Sequence, residues 1–218
     1  NRDIEQSANK IPLLGLRSLY ILREQTMIIL VNGNEQAEYA YLTNKMFRIR
    51  AKVFHERLKW DVNVVDGLEK DRFDQENPLY LISVDEVSGN VRGSLRLLPT
   101  TGPNMLRDVF PILLPPGEVV ESATIWESSR FSMEPGAETP EQGRLLSSVT
   151  GELLAAIEEV GLLAGLTEVV SVFDARMVRI FRTAGCPALI IGRPQRIGEC
   201  MTYAGLFEIS ETARDKIR

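Results

Sequence analysis

One arginine and two aromatic residues have types and spacing that suit the binding of a charged ligand. Arg50 and Phe54 are four residues apart, so they share one face if this segment is helical, and Trp60 follows shortly after. A guanidinium binds carboxylates through paired N–H groups, and aromatic faces attract cations. The alternative is an ordinary core-facing helix whose single arginine extends its charged end to solvent. Composition alone leaves both interpretations open.

Three carboxylates follow within a short segment, at Glu69, Asp71 and Asp74. An acidic run of this kind is most often a solvated loop. It could also bind a cationic ligand, or pair with Arg50 and Arg96. Its spacing does not match the ligand series of a calcium-binding loop.

Charged residues also interrupt two apolar strands. Arg96 lies within SLRLL, where a buried charge needs either a partner or a cleft. Glu127 and Arg130 lie in IWESSRF, where their spacing points them to opposite faces of the strand unless a β-bulge intervenes. A mostly apolar strand with both charges is unusual for a core element, which makes this segment, with Phe131, a candidate site.

These residues must be positioned by a mixture of helices and strands. The predicted order is β-α-loop-β-β-β-α-β-α-β, which favours an α/β, or α+β, sandwich with a mixed central sheet flanked by helices on both faces. Residues 61–77 are expected to form an acidic loop. The predicted strands span residues 27–32, 79–84, 91–98, 119–133, 168–173, 188–191 and 199–204, and the predicted helices span residues 35–60, 141–161 and 175–184.

Composition limits the class of protein. The chain has 218 residues, of which 44% are apolar and 25% charged, which is ordinary for a globular protein and excludes disordered and collagenous classes. Its formal net charge of −5 argues against a basic domain that binds nucleic acid. Neither a transmembrane run nor a secretory signal is found, so a cytoplasmic location is expected. Two cysteines and one histidine supply neither a disulfide framework nor a zinc site, so no metal is expected.

The chain is expected to form one domain. Length favours a single domain over residues 27–218. Residues 1–26 precede the first compact strand as an N-terminal extension, either a docked helix or a loosely held arm. Neither a GxGxxG nor a P-loop motif occurs, so dinucleotide-binding and P-loop functions gain no support.

The spacing of these residues resembles the N-acyl-homoserine lactone synthase, or autoinducer synthase, family from about Met27 to Gly205. The shared motifs are Arg50-x3-Phe54-x5-Trp60, Glu69-x-Asp71-x2-Asp74, Arg96-Leu-Leu-Pro-Thr-Thr and Trp126-Glu127-x2-Arg130-Phe131. The resemblance implies an acyltransferase with the N-acetyltransferase fold. Such an enzyme acylates the amine of S-adenosylmethionine from an acyl-carrier donor, then closes the lactone with release of methylthioadenosine, which makes a quorum-sensing signal. S-adenosylmethionine is a substrate there, so no cofactor is expected.

The resemblance also implies roles for the candidate residues. Catalytic roles fall on Glu127, Arg50, Asp71 and Asp74: Glu127 would accept the amine proton, and the aspartates would hold the arginines or favour the cationic substrate. Backbone amides near Ser128–Arg130 would receive the developing oxyanion. The residues implied to bind S-adenosylmethionine are Arg50, Phe54, Trp60, Asp71, Arg96, Arg130 and Phe131.

The second half of the chain is implied to bind the acyl donor. The acyl pocket would be lined by Ser128, Ser171, Phe173 and Met177, with ordinary core packing as the alternative. The segment 175–198 contains five arginines and no acid, so it is either a solvated face or a docking patch for an acidic acyl carrier protein. The residues assigned to docking are Arg176, Arg179 and Arg182.

Two other functions remain open from the sequence. One is an N-acyltransferase of the same fold that uses acyl-CoA and another amine. The segment PGAETPEQGRLL lacks the arginine- and glycine-rich pyrophosphate loop of ordinary acetyl-CoA enzymes, which weakens this alternative but leaves acyl-CoA open as a donor. The other is a non-enzymatic protein that binds acyl carriers, which the intact set of candidate residues disfavours.

Overall fold

Nine strands and five α-helices make up the structure, a computed structural model that describes residues 26–137 and 146–217. The strands are β1 (Thr26–Asn32), β2 (Val64–Val65), β3 (Leu68–Glu69), β4 (Leu79–Asp85), β5 (Val91–Pro99), β6 (Ile125–Met133), β7 (Glu168–Asp174), β8 (Leu189–Ile197) and β9 (Cys200–Glu208). A separate ribbon is formed by β2 and β3, and the other strands form one sheet in the order β1-β4-β5-β6-β7-β9-β8. Neighbours in this sheet are antiparallel except β6 and β7, which are parallel. The predicted mixed sheet is therefore confirmed.

The helices are α1 (Ala40–Arg50), α2 (Met105–Asp108), α3 (Ser148–Ala164), α4 (Ala175–Thr183) and α5 (Glu211–Lys216). Local sequence explains both ends of α3. The Ser147 hydroxyl accepts a hydrogen bond from the backbone N–H of Thr150 at 3.2 Å, and Gly165 ends the helix with a φ of 69°.

Helices cover both faces of the sheet, which confirms the predicted sandwich. One face carries α3, packed over apolar residues of the central strands that include Leu81, Leu95 and Trp126. The opposite face carries α1, packed over Tyr80 and Ile82. Successive residues of a strand point to opposite faces, so each strand supplies side chains to both layers.

The sheet opens in its middle, between β6 and β7. These strands pair only from Ile125 to Ser128 and from Glu168 to Ser171, although both continue further. Next to this point β6 contains a β-bulge, because its pairing with β5 shifts by one residue. Arg130 lies in the bulge with a φ of 56°, a conformation that non-glycine residues adopt at a cost of about 1 kcal/mol or more.

The predicted helix over residues 35–60 is wrong at both ends. The α-helix begins at Ala40 and ends at Arg50, and Ala51–Arg57 form π-helical turns. Apolar spacing near 3 and 4 fits both kinds of turn, so periodicity could not reveal the change. The chain leaves these turns with the Trp60 N–H donating to the carbonyl of Phe54 at 2.9 Å, which holds Trp60 close to Phe54.

Other predicted boundaries also change. The strand predicted over 119–133 begins at Ile125, because the Thr100 hydroxyl binds the backbone of Ser122 and Ile125 and holds the preceding residues outside the ladder. The predicted acidic loop contains the β2–β3 ribbon and a 3₁₀ turn at Arg72–Gln75. The helix predicted from residue 141 begins at Ser148, with residues 141–145 outside the described part, and β8 and β9 extend beyond the predicted ranges.

The predicted extension of residues 1–26 lies outside the described residues, apart from Thr26, which begins β1. The single domain predicted for residues 27–218 stays a prediction.

Candidate active site

Three arginines and three carboxylates form a buried network on the α1 face of the sheet. The end of α1 supplies Arg50, while Arg96 and Arg130 come from β5 and β6. The carboxylates come from the segment that connects α1 to β4. They are Glu69 in β3, Asp71, and Asp74 in the 3₁₀ turn. The six formal charges of this network cancel.

Arg50 is held by two of these carboxylates. Its Nε donates to Oε2 of Glu69 at 2.5 Å, and its two terminal nitrogens donate to the two oxygens of Asp74 at 2.8 and 2.9 Å. The side chain is only 1% exposed. Burial alone would lower the pKa of Arg50, but Asp74 and Glu69 raise it above the ordinary value, so the guanidinium stays charged.

Arg96 joins the two aspartates. Its Nη1 donates to Asp71 at 2.5 Å and to Asp74 at 2.9 Å, its Nη2 donates to Asp71 at 3.0 Å, and its Nε donates to the Ser129 hydroxyl at 3.2 Å. Asp74 also accepts from the Tyr80 hydroxyl at 2.8 Å. Burial acts to raise the pKa of Asp74, but the Arg50 and Arg96 guanidiniums hold it well below its usual range. The sequence expectation that these acids pair with the arginines is confirmed.

Arg130 forms the edge of the network. Its Nη2 donates to Glu69 at 3.0 Å and lies 2.8 Å from Asp71. The bulge turns this side chain to the face of the strand that also carries Glu127. In a regular strand, two residues with this spacing would point to opposite faces. Its guanidinium carbon lies 5.1 Å from the ring centroid of Phe54, and that ring lies 5.3 Å from the Trp60 ring. Burial lowers the pKa of Arg130 despite the attraction of Glu69.

Glu127 is fully buried beside the network. Its Oε1 accepts from the backbone N–H of Met105 at 2.9 Å, and its Oε2 accepts from that of Leu106 at 2.6 Å. These amides begin α2, so the carboxyl group fixes α2 against the sheet. Burial raises the pKa of Glu127, and the two amide hydrogen bonds oppose this shift. A carboxylate keeps lone pairs beyond these two bonds, so it can still accept a proton.

A single cavity connects the two faces of the sheet through the opening between β6 and β7. Its volume is about 150 Å³, well above the roughly 10–15 Å³ that one water molecule needs, so it is more than a packing defect. On the α1 face its wall is charged and aromatic, and on the α3 face it is mainly apolar. Sequence-predicted residues that line it are Phe54, Trp60, Glu127, Ser128, Arg130, Phe131, Ser171, Phe173, Arg176 and Met177.

Four of the residues predicted for catalysis or for S-adenosylmethionine binding lie elsewhere. Arg50, Asp71, Asp74 and Arg96 are not part of the cavity wall and lie in the network that holds Arg130. The first and last of these are almost completely buried, while the Asp71 side chain remains 17% exposed. Their predicted catalytic and substrate-binding roles stay predictions. Their observed contacts with polar side chains are with one another and with Glu69, Tyr80, Ser129 and Arg130.

Two serines meet where the sheet opens. The Ser171 hydroxyl donates to the backbone carbonyl of Ser128 at 2.8 Å, at the last paired position of β6 and β7. Beyond this bond the strands separate, and the side chains of Phe173 and Met177 continue the apolar wall. The four residues predicted for an acyl pocket therefore line one surface.

Sequence reasoning missed several contributors. The sequence gives Glu69 no role beyond a place in a motif and among the possible partners of Arg50 and Arg96, although it links Arg50 to Arg130 and is completely buried. Tyr80 lies among the apolar residues of β4, so the sequence does not show that its hydroxyl binds Asp74. Met105 follows a segment that looks like a linker, so its position on the cavity wall could not be predicted.

The five arginines of residues 175–198 are exposed, and none pairs with an acid among the described residues. They are Arg176, Arg179, Arg182, Arg193 and Arg196. Only the first of them borders the cavity. The same helix turns its other side inward, where Phe181 is buried.

Across residues 26–137 and 146–217, no helix is long and apolar enough to cross a membrane. The same residues include no cluster of three or more histidine, cysteine, aspartate or glutamate side chains suited to a metal ion. Both cysteines have free thiols.

The mixed sheet, open between β6 and β7 and covered by helices on both faces, defines the N-acetyltransferase fold. A Lactobacillus plantarum structure assigned as an N-acetyltransferase matches with a TM-score of 0.54, at 16% identity, over 86% of this chain and 100% of that chain. At this identity the likeness shows the fold alone, and it confirms the predicted fold class.

The chain belongs to the autoinducer synthase family, whose model matches residues 34–217. An acyl-homoserine-lactone synthase from Agrobacterium fabrum is 36% identical over 178 residues, or 82% of this chain and 84% of that one. The crystal structure of the AHL synthase LasI matches with a TM-score of 0.76, at 30% identity, over 89% of this chain and 95% of that chain. The CoA-dependent acyl-homoserine lactone synthase BjaI, solved with SAM and isopentyl-CoA, matches with a TM-score of 0.75, at 27% identity, over 87% and 86%. The family indicated by the sequence motifs is confirmed.

Proposed function

We propose that this chain is an acyl-homoserine lactone synthase that acylates S-adenosylmethionine and releases methylthioadenosine. One observation carries the proposal. A single cavity joins a charged, aromatic wall on one face of the sheet to an apolar wall on the other. A polar amine substrate and an apolar acyl chain can therefore meet at the opening between β6 and β7. The relative BjaI, a CoA-dependent acyl-homoserine lactone synthase solved with SAM and isopentyl-CoA, supports S-adenosylmethionine and a carrier-bound chain as the pair of substrates.

S-adenosylmethionine lies on the α1 face in this proposal. Its carboxylate approaches Arg130, the guanidinium at the edge of the network, and its sulfonium and adenine contact Phe54 and Trp60. Arg50 and Arg96 act through the carboxylates, because they fix the positions of Glu69 and Asp71 against Arg130. The exposed fraction of Asp71 offers a negative surface to the substrate ammonium group.

The acyl transfer takes place at the opening of the sheet. The neutral amine attacks the thioester carbonyl, a C–N bond forms, the C–S bond breaks, and the thiol of the carrier leaves. Glu127 accepts the amine proton, directly or through water; an α-amine has a pKa of about 8, so a neutral fraction is present at cellular pH. Backbone amides near Ser128–Arg130 stabilise the oxyanion.

Lactone closure follows in the same bound molecule. The carboxylate oxygen attacks the γ-carbon of its own methionine portion, and the bond from that carbon to the sulfonium sulfur breaks. The bonding electrons neutralise the sulfonium, and methylthioadenosine leaves. The protein needs only to hold the substrate in a bent conformation, which is catalysis by proximity.

The acyl chain lies in the apolar half of the cavity. Ser128 and Ser171 border its entrance, and Phe173 and Met177 line the wall beyond. Both proposed substrates are made inside cells, so a cytoplasmic location is part of the proposal. The product is a diffusible quorum-sensing signal.

The proposed donor is an acyl carrier protein. An acidic carrier would dock on the exposed arginines of α4, of which Arg176 borders the cavity. Acyl-CoA is the alternative, since the relative BjaI is CoA-dependent. The double substitution Arg176→Glu with Arg179→Glu should raise the apparent KM for acyl carrier protein, and the effect should shrink at high salt. If the wild type and the double variant give the same curve of rate against carrier-protein concentration, these arginines are not a docking patch. If turnover is faster with acyl-CoA than with acyl carrier protein, the donor is acyl-CoA.

Mass spectrometry tests the proposed function directly. A host that makes no lactone expresses the full chain, and its extracts are compared with those of the empty host. Acyl-homoserine lactones together with methylthioadenosine are expected. An N-acylated amine of another kind would instead support the alternative acyltransferase, and no acylated product from a folded protein would refute both.

A further inference from the structure

One carboxyl group lies in the apolar half of the cavity and has no part in the proposed reaction. Glu158 of α3 is 3% exposed, and it lines the same cavity as Ser128 and Ser171. Its neighbours on the wall are mainly apolar or aromatic: Leu154, Ile157, Phe181, Cys186 and Phe207. Glu158 belongs to α3, whereas the opening of the sheet is bordered by β6 and β7. In the proposed function it therefore faces a part of the cavity beyond the reacting carbonyl.

The hydrogen bonding of this carboxyl group is incomplete. Its Oε2 accepts from the backbone N–H of Ser210 at 3.3 Å, and no other described residue donates to it within hydrogen-bond distance. A carboxyl group has about four acceptor sites when ionised, and it is also a donor when protonated. Glu158 therefore retains hydrogen-bonding capacity on the cavity wall, where an unsatisfied polar group is costly.

The surrounding charges do not neutralise Glu158. Glu208 lies close enough at the end of β9 to repel it, whereas Arg214 of α5 attracts it from a position where Glu159 and Asp215 already bind that arginine. Burial is the main cause that raises the pKa of Glu158 to about 7. Both protonation states are consequently present near neutral pH.

Cys186 shares this part of the wall but does not compete as a nucleophile. Burial, followed by the nearby Glu158, raises the pKa of its thiol to about 12, so the reactive thiolate is almost absent at neutral pH. The polar feature that a ligand would meet here is the carboxyl group.

We propose that Glu158 is a specificity residue that binds a hydroxyl group carried far from the thioester on the acyl chain. A hydroxyl group both donates and accepts, so it satisfies the carboxyl group in either protonation state. An unsubstituted chain leaves the carboxyl group dehydrated, with the Ser210 backbone N–H as its described hydrogen-bond donor, which disfavours that donor molecule. The inference rests on the proposed function, because it requires the apolar half of the cavity to hold the acyl chain.

Paired acyl thioesters test this inference on the full chain. Each pair has the same length and differs only in a hydroxyl group at its far end; one series is alkyl and one is aryl, and both are supplied on the carrier that the enzyme uses. The measured quantity is the ratio of kcat/KM values within a pair, by mass spectrometry of the lactones. This ratio cancels every step that the two donors share, including deprotonation of the amine.

The wild-type enzyme should favour the hydroxylated donor about tenfold at the best-fitting length, which is the size of one hydrogen bond. The preference should increase as pH rises through about 7, because an ionised carboxylate binds a hydroxyl more strongly than a neutral one does. Glu158→Leu should favour the unsubstituted donor. Glu158→Gln should keep part of the preference and lose its pH dependence. The matched control is Glu152→Leu, also on α3, which should leave the ratio unchanged because Glu152 is not part of the cavity wall and contacts Ser83 and Arg92 instead.

The outcomes distinguish a failure of the specificity role of Glu158 from a failure of the proposed function. Lactone synthesis with equal use of both donors at every length overturns the specificity role and leaves the proposed function intact. A preference that persists unchanged in Glu158→Gln across this pH range also overturns it, and this arm remains decisive if Glu158→Leu does not fold. Absence of lactone from every donor refutes the proposed function and the inference with it.

Discussion

Replacement of Arg96 by alanine should destabilise the protein far more than replacement of an exposed arginine. The side chain is 0% exposed and donates four hydrogen bonds, three of them to the carboxylates of Asp71 and Asp74. Its removal leaves Asp71 with Arg130 as its close cationic partner and leaves Asp74 with Arg50. The buried Asp74 and the partly buried Asp71 would then have less positive charge beside them.

The expected loss follows from the burial of these partners. Removing one partner of a buried ion pair costs about 3–5 kcal/mol, which is a large part of the roughly 5–15 kcal/mol that stabilises a typical domain. For a chain of this size, roughly 2–4 °C of Tm corresponds to each kcal/mol, so Tm should fall by about 6–20 °C. The loss should be smaller near pH 4 than at pH 7, because Asp74, which has lost one of its two guanidinium partners, can then take up a proton.

Urea unfolding at both pH values measures this effect. The matched control is Arg72→Ala, because Arg72 is 64% exposed and pairs with Asp108 at 3.2 Å on the surface, where such pairs contribute about 0–1 kcal/mol. A double substitution of Arg96→Ala with Asp71→Asn should recover part of the loss. If Arg96→Ala and Arg72→Ala give the same free energy of unfolding, the network does not contribute to stability as argued.

Three further predictions concern the site. Glu127→Gln should lower turnover at least about 100-fold, because the amide cannot accept the amine proton. It should lower the free energy of unfolding by about 1–3 kcal/mol, because the new NH₂ group would face a backbone N–H of α2. Full turnover at saturating substrate would show that Glu127 is not the proton acceptor. Trp60→Ala should raise the KM for S-adenosylmethionine about 3- to 30-fold, as expected for loss of a cation–π contact. Urea unfolding should be nearly unchanged, because Trp60 is 38% exposed. An unchanged KM would mean that the substrate does not contact Trp60. The stability that Asp74 contributes should be complete above its ordinary pKa of about 3.9 and should disappear as pH falls through its lower folded pKa; urea midpoints that fall equally in wild type and Asp74→Asn would contradict this.

The sequence predicted the components of the site better than their arrangement. Four-residue spacing placed Arg50 and Phe54 on one helical segment, and the acidic run correctly indicated partners for Arg50 and Arg96. These inferences depend only on spacing and charge. The mixed sheet with helices on both faces followed from the order of helical and strand patterns along the chain. The order of strands within the sheet and the face that each helix covers were not predicted.

Short local features of the backbone could not be predicted from the sequence. The spacing of Glu127 and Arg130 left a bulge open as an alternative but could not show that it occurs, since a positive φ usually signals glycine and here occurs at an arginine. The four-residue α2 is too short for a periodic signal, yet it determines where Glu127 makes its hydrogen bonds. Glu158 could have been suspected, because it follows Leu154 by one helical turn, but a glutamate beside Glu159 is more often exposed.

The bulge in β6 couples the two halves of the cavity. The same extra residue that turns Arg130 toward Glu69 and Phe54 also ends the pairing of β6 with β7, one step beyond Ser128. A regular strand would point Arg130 to the opposite face and would allow the ladder to continue, which would close the passage to the apolar side. Under the proposed function, one local change of backbone would therefore provide both the charged contact for the amine substrate and the opening through which the acyl group reaches it. The network behind Arg130 holds that conformation in place, because Glu69 and Asp71 bind the guanidinium only where the bulge puts it.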